Sequence, residues 1–326
     1  MSMLLGHDVQ AAAMLDAARS GRLHHGWILA GPRGIGKASF ARAMALRLLA
    51  EAAGPPPGGM GLGVPADHPV ARLIASGGHP DYAELTCQVR ESGDVARNIS
   101  VDQVRGLHRL IHSAPSLSAR RLVVIDSADD LERGAANALL KTLEEPPPGM
   151  TFLLVAHAPA RLLPTIRSRC HMLRFDRLDD QQMTRILRNA QPELEDVELE
   201  ALLAVGAGSP GTALGYAGLN IGDMERSLTT IAATGDPDNR ERLALARQLG
   251  TKAARQRYEA FLERAPAFIA LAARGRTGQA LGLALDHWEQ ARQLAAGAIV
   301  LALESQSVVF ELAGHVAALA PMPVNG

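Results

Sequence analysis

The run Gly31-Pro32-Arg33-Gly34-Ile35-Gly36-Lys37-Ala38-Ser39 has the residue types and spacing that bind phosphate. In the pattern G-x-x-x-x-G-K, backbone N–H groups curl around a di- or triphosphate and the lysine reaches its outer oxygens. A following Ser or Thr holds Mg²⁺. Here that following residue is Ala38, and Ser39 comes one place late. The loop is complete for cradling phosphate and incomplete for holding the metal that hydrolysis uses. A second element supplies a carboxylate: the apolar run Leu122-Val123-Val124-Ile125 ends in Asp126, as a strand delivering an acid beside a phosphate-bound metal would. Hydrolysing enzymes of this kind usually carry a glutamate next, which orients the attacking water; this chain has Ser127, with Asp129 and Asp130 farther along. Two readings of the loop stay open. Residues 31–39 with Asp126 hold ATP or ADP as a structural element, or the loop keeps its glycines for the turn and holds nothing.

The flanks supply the elements such a loop needs. Trp27-Ile28-Leu29-Ala30 reads as a short buried strand, and Phe40, Met44 and Leu48 fall four apart on a helix behind the loop. Residues 8–22 predict a helix that Gly21 helps to end. Tyr82–Thr86, Leu122–Asp126, Phe152–Ala156 and His171–Phe175 read as strands. Residues 101–112 and 135–144 read as helices, the second stopped by Pro146-Pro147-Pro148. Short apolar strands alternating with helices predict a parallel sheet covered on both faces. Between them Ala53–Gly63, rich in glycine and proline, predicts a flexible surface insert. From about Leu178 the strand signals stop. Residues 179–222 then predict a small helical domain, and 223–326 longer Ala- and Leu-rich helices broken near Gly235-Asp236-Pro237 and Arg274-Gly275-Arg276. Residues 1–178 form the loop-bearing α/β domain in this division.

Composition narrows the function classes. A chain of 326 residues implies two or three domains. With 47% hydrophobic residues and only 3% aromatic, the core must be built from small aliphatic side chains, which favours closely packed helices. Net charge is −1, so no global basic field draws the chain to nucleic acid, and DNA contact must come from local patches or partner subunits. Two cysteines, Cys87 and Cys170, make neither a disulfide framework nor a zinc site and fit a reducing cytoplasm. The start, Met1 to Asp8, has no charged leader before a long apolar run, and Leu294 to Leu303 is too short to span a bilayer. A soluble, cytoplasmic protein is expected, with no membrane partner.

Further segments carry a resemblance. They are Arg22-Leu23-His24-His25-Gly26-Trp27, the phosphate loop, Ile99 to Arg105, Asn137-Ala138-Leu139-Leu140-Lys141-Thr142-Leu143-Glu144-Glu145-Pro146-Pro147, and Leu162 to Cys170 with its Ser168-Arg169-Cys170. Over residues 4–215 the chain resembles the AAA+ clamp loaders, most closely the delta-prime family of subunits of bacterial DNA polymerase III. The resemblance implies an AAA+ P-loop domain, a helical lid and an all-helical collar. It implies that Arg169 sits at a subunit boundary and reaches, in trans, the ATP of a neighbouring subunit as an arginine finger. The implied partners are gamma/tau and delta type subunits, a sliding clamp, and primer-template DNA touched through its backbone.

The departures from active loaders point one way. After the fourth strand a polar sensor is replaced by Ala156-His157-Ala158-Pro159, with His157 a doubtful substitute. In the lid, the pattern Gly-Ser-x-Arg reads Gly208-Ser209-Pro210-Gly211, without the arginine. Some family members carry a cysteine-ligated zinc module after the loop helix. Here the glycine and proline insert, with His68 and His79 read as solvated loop histidines, replaces it, so no zinc or other metal is expected. The pair Arg120-Arg121 reads as a solvated loop. The chain is expected to be a hydrolysis-deficient stator that donates Arg169. The alternative is an active AAA+ ATPase subunit in which Ser39 and Asp129 or Asp130 take the missing roles, although a one-residue shift on a helix turns a side chain by about 100°. A motor outside replication is a third reading, opposed by Ser168-Arg169-Cys170 and by Leu140 to Pro147.

Overall fold

The computed structural model describes residues 6–58, 61–89 and 96–321, so Met1–Leu5 of the start and Gly59–Met60 of the insert lie outside the described residues. The chain divides into two compact units, the first Met1–Glu193 with Gly206–Ala213, the second Leu194–Val205 with Leu214–Gly326. In order, the first unit contains α1 (Asp8–Arg19), β1 (Gly26–Ala30), α2 (Lys37–Ala53), α3 (Pro69–Ala75), β2 (Tyr82–Thr86), α4 (Val101–Gly106), α5 (His108–His112) and β3 (Arg121–Asp126). There follow α6 (Arg133–Glu144), β4 (Met150–Ala156), α7 (Pro164–Arg167), β5 (His171–Arg174) and α8 (Asp180–Ala190).

The five strands form one parallel sheet in the order β2-β3-β4-β1-β5. Its central strands β1 and β4 are buried along their whole length, which is why they read as unbroken apolar runs instead of alternating ones. Successive side chains still point to opposite faces. Leu29, Leu122, Val124, Leu153 and Val155 pack with Phe40, Met44 and Leu48 of α2 and Met14 of α1. Ile28, Val123, Ile125, Phe152 and Leu154 pack with Val104, Leu139 and Leu143 on the other face.

Three expectations are corrected. The helix over 101–112 is broken into α4 and α5, because Gly106 weakens it and the Leu107 N–H closes a tight turn on the Val104 carbonyl at 3.1 Å. His68 and His79 are not solvated loop residues. His68 caps α3 by accepting from the Val70 N–H, and His79 is 5% exposed, its Nδ1 accepting from the Asp81 N–H at 3.1 Å. Arg121 is not a solvated loop residue either. It is 3% exposed, and its guanidinium donates to the carbonyls of Leu110, Ile111, Ser113 and Pro148 at 2.6 to 3.1 Å. A buried charge is tolerated there because the planar fork reaches carbonyls at the end of α5 and in the loop before β4. Beyond Ala53, which ends α2, the described part of the glycine and proline insert has no helix or strand, yet its Leu62 packs on the core, as does the following Val64, and its Gly63 carbonyl accepts from Arg47 at 3.0 Å.

The second unit is helical. It holds α9 (Asp196–Gly206) up to Val205, the end of α10 (Pro210–Tyr216), α11 (Ile221–Thr234), α12 (Arg240–Leu249), α13 (Arg255–Ala273), α14 (Gly278–Val300) and α15 (Ser305–Ala317). The two breaks read from the sequence are present; further breaks at 250–254 and 301–304 carry no proline. Ala284, Ala291 and Ala298, seven apart on α14, are fully or almost fully buried. That stripe lets α14 lie close against its neighbours α13 and α15. No described helix is long and apolar enough to cross a membrane.

Replacing Arg121 by methionine keeps the volume but strands four carbonyls, and is expected to cost about 3 kcal/mol. Urea unfolding should show a lower midpoint at unchanged slope, whereas Arg120→Met, which loses one bond to the Ala18 carbonyl, should cost about 1 kcal/mol or less. Equal midpoints for the two variants would remove the structural role assigned to Arg121.

Candidate nucleotide site and arginine finger

The phosphate loop connects the C-terminal end of β1 to the N-terminus of α2. Gly34 and Gly36 take φ of 76° and 95°, a left-handed backbone that glycine adopts without strain. The 17-residue helix behind them points its partial positive end at the loop. The loop is therefore built as an anion cradle.

Lys37 is 2% exposed, and its Nζ donates to the Gly31 carbonyl at 2.7 Å, to the Pro32 carbonyl at 2.5 Å and to Nδ1 of His157 at 3.0 Å. An ammonium has three donors, so all are taken by protein groups. Because Lys37 donates, His157 accepts as a neutral imidazole. Burial, and then the adjacent Lys37, holds it below the usual imidazole range. Burial likewise lowers the Lys37 amine to about 8, against the opposing pull of Asp129 and Asp126.

The carboxylates read as catalytic candidates are each committed. Asp126 Oδ2 pairs with Arg42 Nη2 at 3.0 Å, and the same guanidinium binds Glu84 at 2.6 Å. Arg42 stands one turn beyond Ala38 on the same face of α2, so it projects toward the acid that ends β3. Asp129 accepts from the backbone N–H groups of His157 at 2.5 Å and Ala158 at 3.1 Å, and Asp130 accepts from Ser127 Oγ at 2.9 Å. Ser39 is exposed, turned away from the half-buried Ala38. Among the described residues, no group of three or more His, Cys, Asp or Glu side chains could hold a metal ion.

The segment Gly208–Thr212 closes on the loop from the other side. Ser209 Oγ donates to the Arg33 carbonyl at 2.7 Å, and the Gly211 N–H donates to the Gly34 carbonyl at 2.7 Å. A Cβ on Gly211 would lie 2.9 Å from the Gly34 Cα. The position where the lid pattern would carry arginine has no room for any side chain. On the far side His7 donates from Nε2 to the Ile35 carbonyl at 2.7 Å. Sequence reasoning missed His7, Arg42 and the Gly34–Gly211 contact; no local pattern marks them, because their partners are 28 to 177 positions away.

Arg169 lies elsewhere. It lies two residues before β5, whose His171 is in register with Trp27 of β1, and a Cβ on Gly26 would lie 3.4 Å from the Arg169 carbonyl. Arg169 thus adjoins the N-terminal end of β1 while the loop leaves its C-terminal end. At about 3.3 Å per residue, the two are separated by roughly 15–20 Å along the strand. Arg169 donates from Nη1 to the Thr165 carbonyl at 3.0 Å and pairs through Nη2 with Glu144 Oε1 at 2.7 Å.

This architecture, a parallel sheet with an anion-cradling loop at one end of a central strand and an arginine beside the other, defines a P-loop α/β protein. Residues 6–179, more than half of the chain, match the family described as DNA polymerase III, delta subunit, and the chain belongs to that family. It is 37% identical over 189 residues to the DNA polymerase III subunit delta′ of Pseudomonas aeruginosa, covering 58% of this chain and 54% of that one. To the subunit delta′ of Haemophilus influenzae it is 32% identical over 191 residues, 59% of this chain and 54% of that one. To the subunit tau of Bacillus subtilis it is 30% identical over 220 residues, 65% of this chain and 36% of that one. The chain thus spans about half the length of the delta′ relatives it matches and about a third of the tau subunit.

Lys37 is one of only three lysines, with Lys141 and Lys252, so its titration can be followed singly. In protein labelled with ¹³C-lysine, its Cε resonance is expected to titrate with a midpoint near 8, against the ordinary 10.5. Between those values the unfolded chain binds the proton and the folded chain does not, so this site adds stability as pH rises through that window. A midpoint above 10 would contradict the burial described here.

Proposed function

We propose that this chain is the non-hydrolysing subunit of a bacterial clamp loader, a stator that lends Arg169 to the ATP site of an adjacent motor subunit while a sliding clamp is loaded on primed DNA. The observation that carries this reading is the separation of Arg169 from the chain's own phosphate loop by the length of β1. A guanidinium beside the far end of the strand has no route to phosphate in its own loop, and it is partly exposed, as a group acting across a boundary must be. Such a finger stabilises charge on the transferred phosphoryl group.

Three features of the site support loss of hydrolysis. Ala38 has no hydroxyl for magnesium, Asp129 and Asp130 are occupied by backbone and Ser127 donors, and the Gly34 backbone leaves no room for a side chain at position 211. The loop retains the geometry to hold ATP or ADP as a structural element. A phosphate would replace one of the three partners of Lys37 and meet backbone N–H groups of the loop. Residues 179–222 act as the lid and 223–326 as the collar, in company with gamma/tau and delta type subunits in the cytoplasm. Contact with primer-template DNA runs through phosphates and is independent of sequence.

DNA-stimulated ATP turnover of the loader reconstituted with Arg169→Ala is expected to fall by roughly tenfold or more, with the assembly intact by size-exclusion chromatography. The isolated chain is expected to be inert. Turnover by the chain alone would instead make it an active ATPase subunit.

A further inference from the structure

We infer that Glu144 is the positioning residue for Arg169, holding the guanidinium ready for exchange onto a phosphate of the neighbouring subunit. This inference rests on the reading of Arg169 as a trans-acting finger. Arg169 emerges just after α7, a single turn beginning at Pro164. A long arginine side chain on so short a support loses its geometry unless something outside the turn fixes it. Its contacts to the Thr165 carbonyl at 3.0 Å and Ser168 Oγ at 3.4 Å come from within that turn or next to it, and would move with it.

Glu144 is different. It is the last residue of α6, and that helix is anchored by fully buried Leu139 and by Leu143, next to Glu144 in sequence. Pro146 prevents the helix from running on. The Glu144 carboxylate therefore stands at a fixed place relative to the sheet, and its 2.7 Å ion pair ties Arg169 to that place. The pair is also exchangeable. The Arg169 and Glu144 side chains keep 34% and 48% of their surface exposed, and a solvated ion pair of this kind is weak. A triphosphate offers more negative charge and the same fork geometry, so it can take the guanidinium from the carboxylate. Glu144 thus selects the rotamer without trapping it.

The test is a double-mutant cycle in the reconstituted loader, comparing the parent chain, Glu144→Ala, Glu144→Gln, Arg169→Ala and the Glu144→Ala/Arg169→Ala pair. Assembly is verified for each, and ATP is titrated at saturating primed DNA. Glu144→Ala is expected to lower kcat about three- to tenfold, with the KM for ATP changed by no more than about twofold. Glu144→Gln, whose amide oxygen still accepts from the guanidinium, should recover part of the loss. In the Arg169→Ala background, Glu144→Ala should have no further effect. A loss from Arg169→Ala together with equal fractional losses from Glu144→Ala in both backgrounds would overturn the positioning role and leave the finger standing. Unchanged or raised turnover in Glu144→Ala would overturn it too. An Arg169→Ala loader that turns over like the parent would remove the finger and this inference with it.

Discussion

The packing of β1 is the constraint on which the rest of the structure depends. Its five residues are buried on both faces and hydrogen-bonded on both sides, to β4 and β5. The fit at its start is close enough that Gly26 could not carry a Cβ, which would lie 2.7 Å from Cys170 Sγ. A strand so enclosed can be neither shifted nor lengthened, because a one-residue slip would exchange the side chains of its two faces. Its two ends therefore hold their attachments at a set distance: the phosphate loop on one, the Ser168-Arg169-Cys170 segment on the other. The same rigidity that makes an anion cradle at one end makes the arginine unavailable to it.

Around the loop, the charged groups are hydrogen-bonded or paired within the protein. Lys37 meets two carbonyls and a neutral histidine, Arg42 stands between Glu84 and Asp126, and Asp129 is held by two backbone N–H groups. Buried charges are tolerated only when paired in this way. Each acid that could have acted on a metal or a water instead closes a turn or neutralises an arginine.

The helical unit follows a different rule. With so few aromatic residues, it gains its packing from close approach: α14, with its buried alanines, lies against α13 and α15, which bury the larger Phe261, Ile269, Val309 and Leu312. Interiors packed to this density lose dispersion contacts when even a small void opens.

Much of this was legible in the chain itself. The loop, the strands, the proline stop after α6 and the breaks near Gly235 and Gly275 are local signals, carried by residues whose conformational preferences act over a few positions: glycine at positive φ, proline without a donor, apolar runs too short for helices. Those determined the architecture, the missing magnesium hydroxyl and the missing lid arginine. What tertiary structure alone decided was the partner of every charge. Arg121 and His79 read as solvent-exposed and are buried, since burial depends on which distant carbonyls or N–H groups converge on a side chain. Asp126 finds Arg42, Glu144 finds Arg169 and Gly211 finds Gly34 across 84, 25 and 177 positions. No spacing rule spans such distances; the folded sheet brings them together.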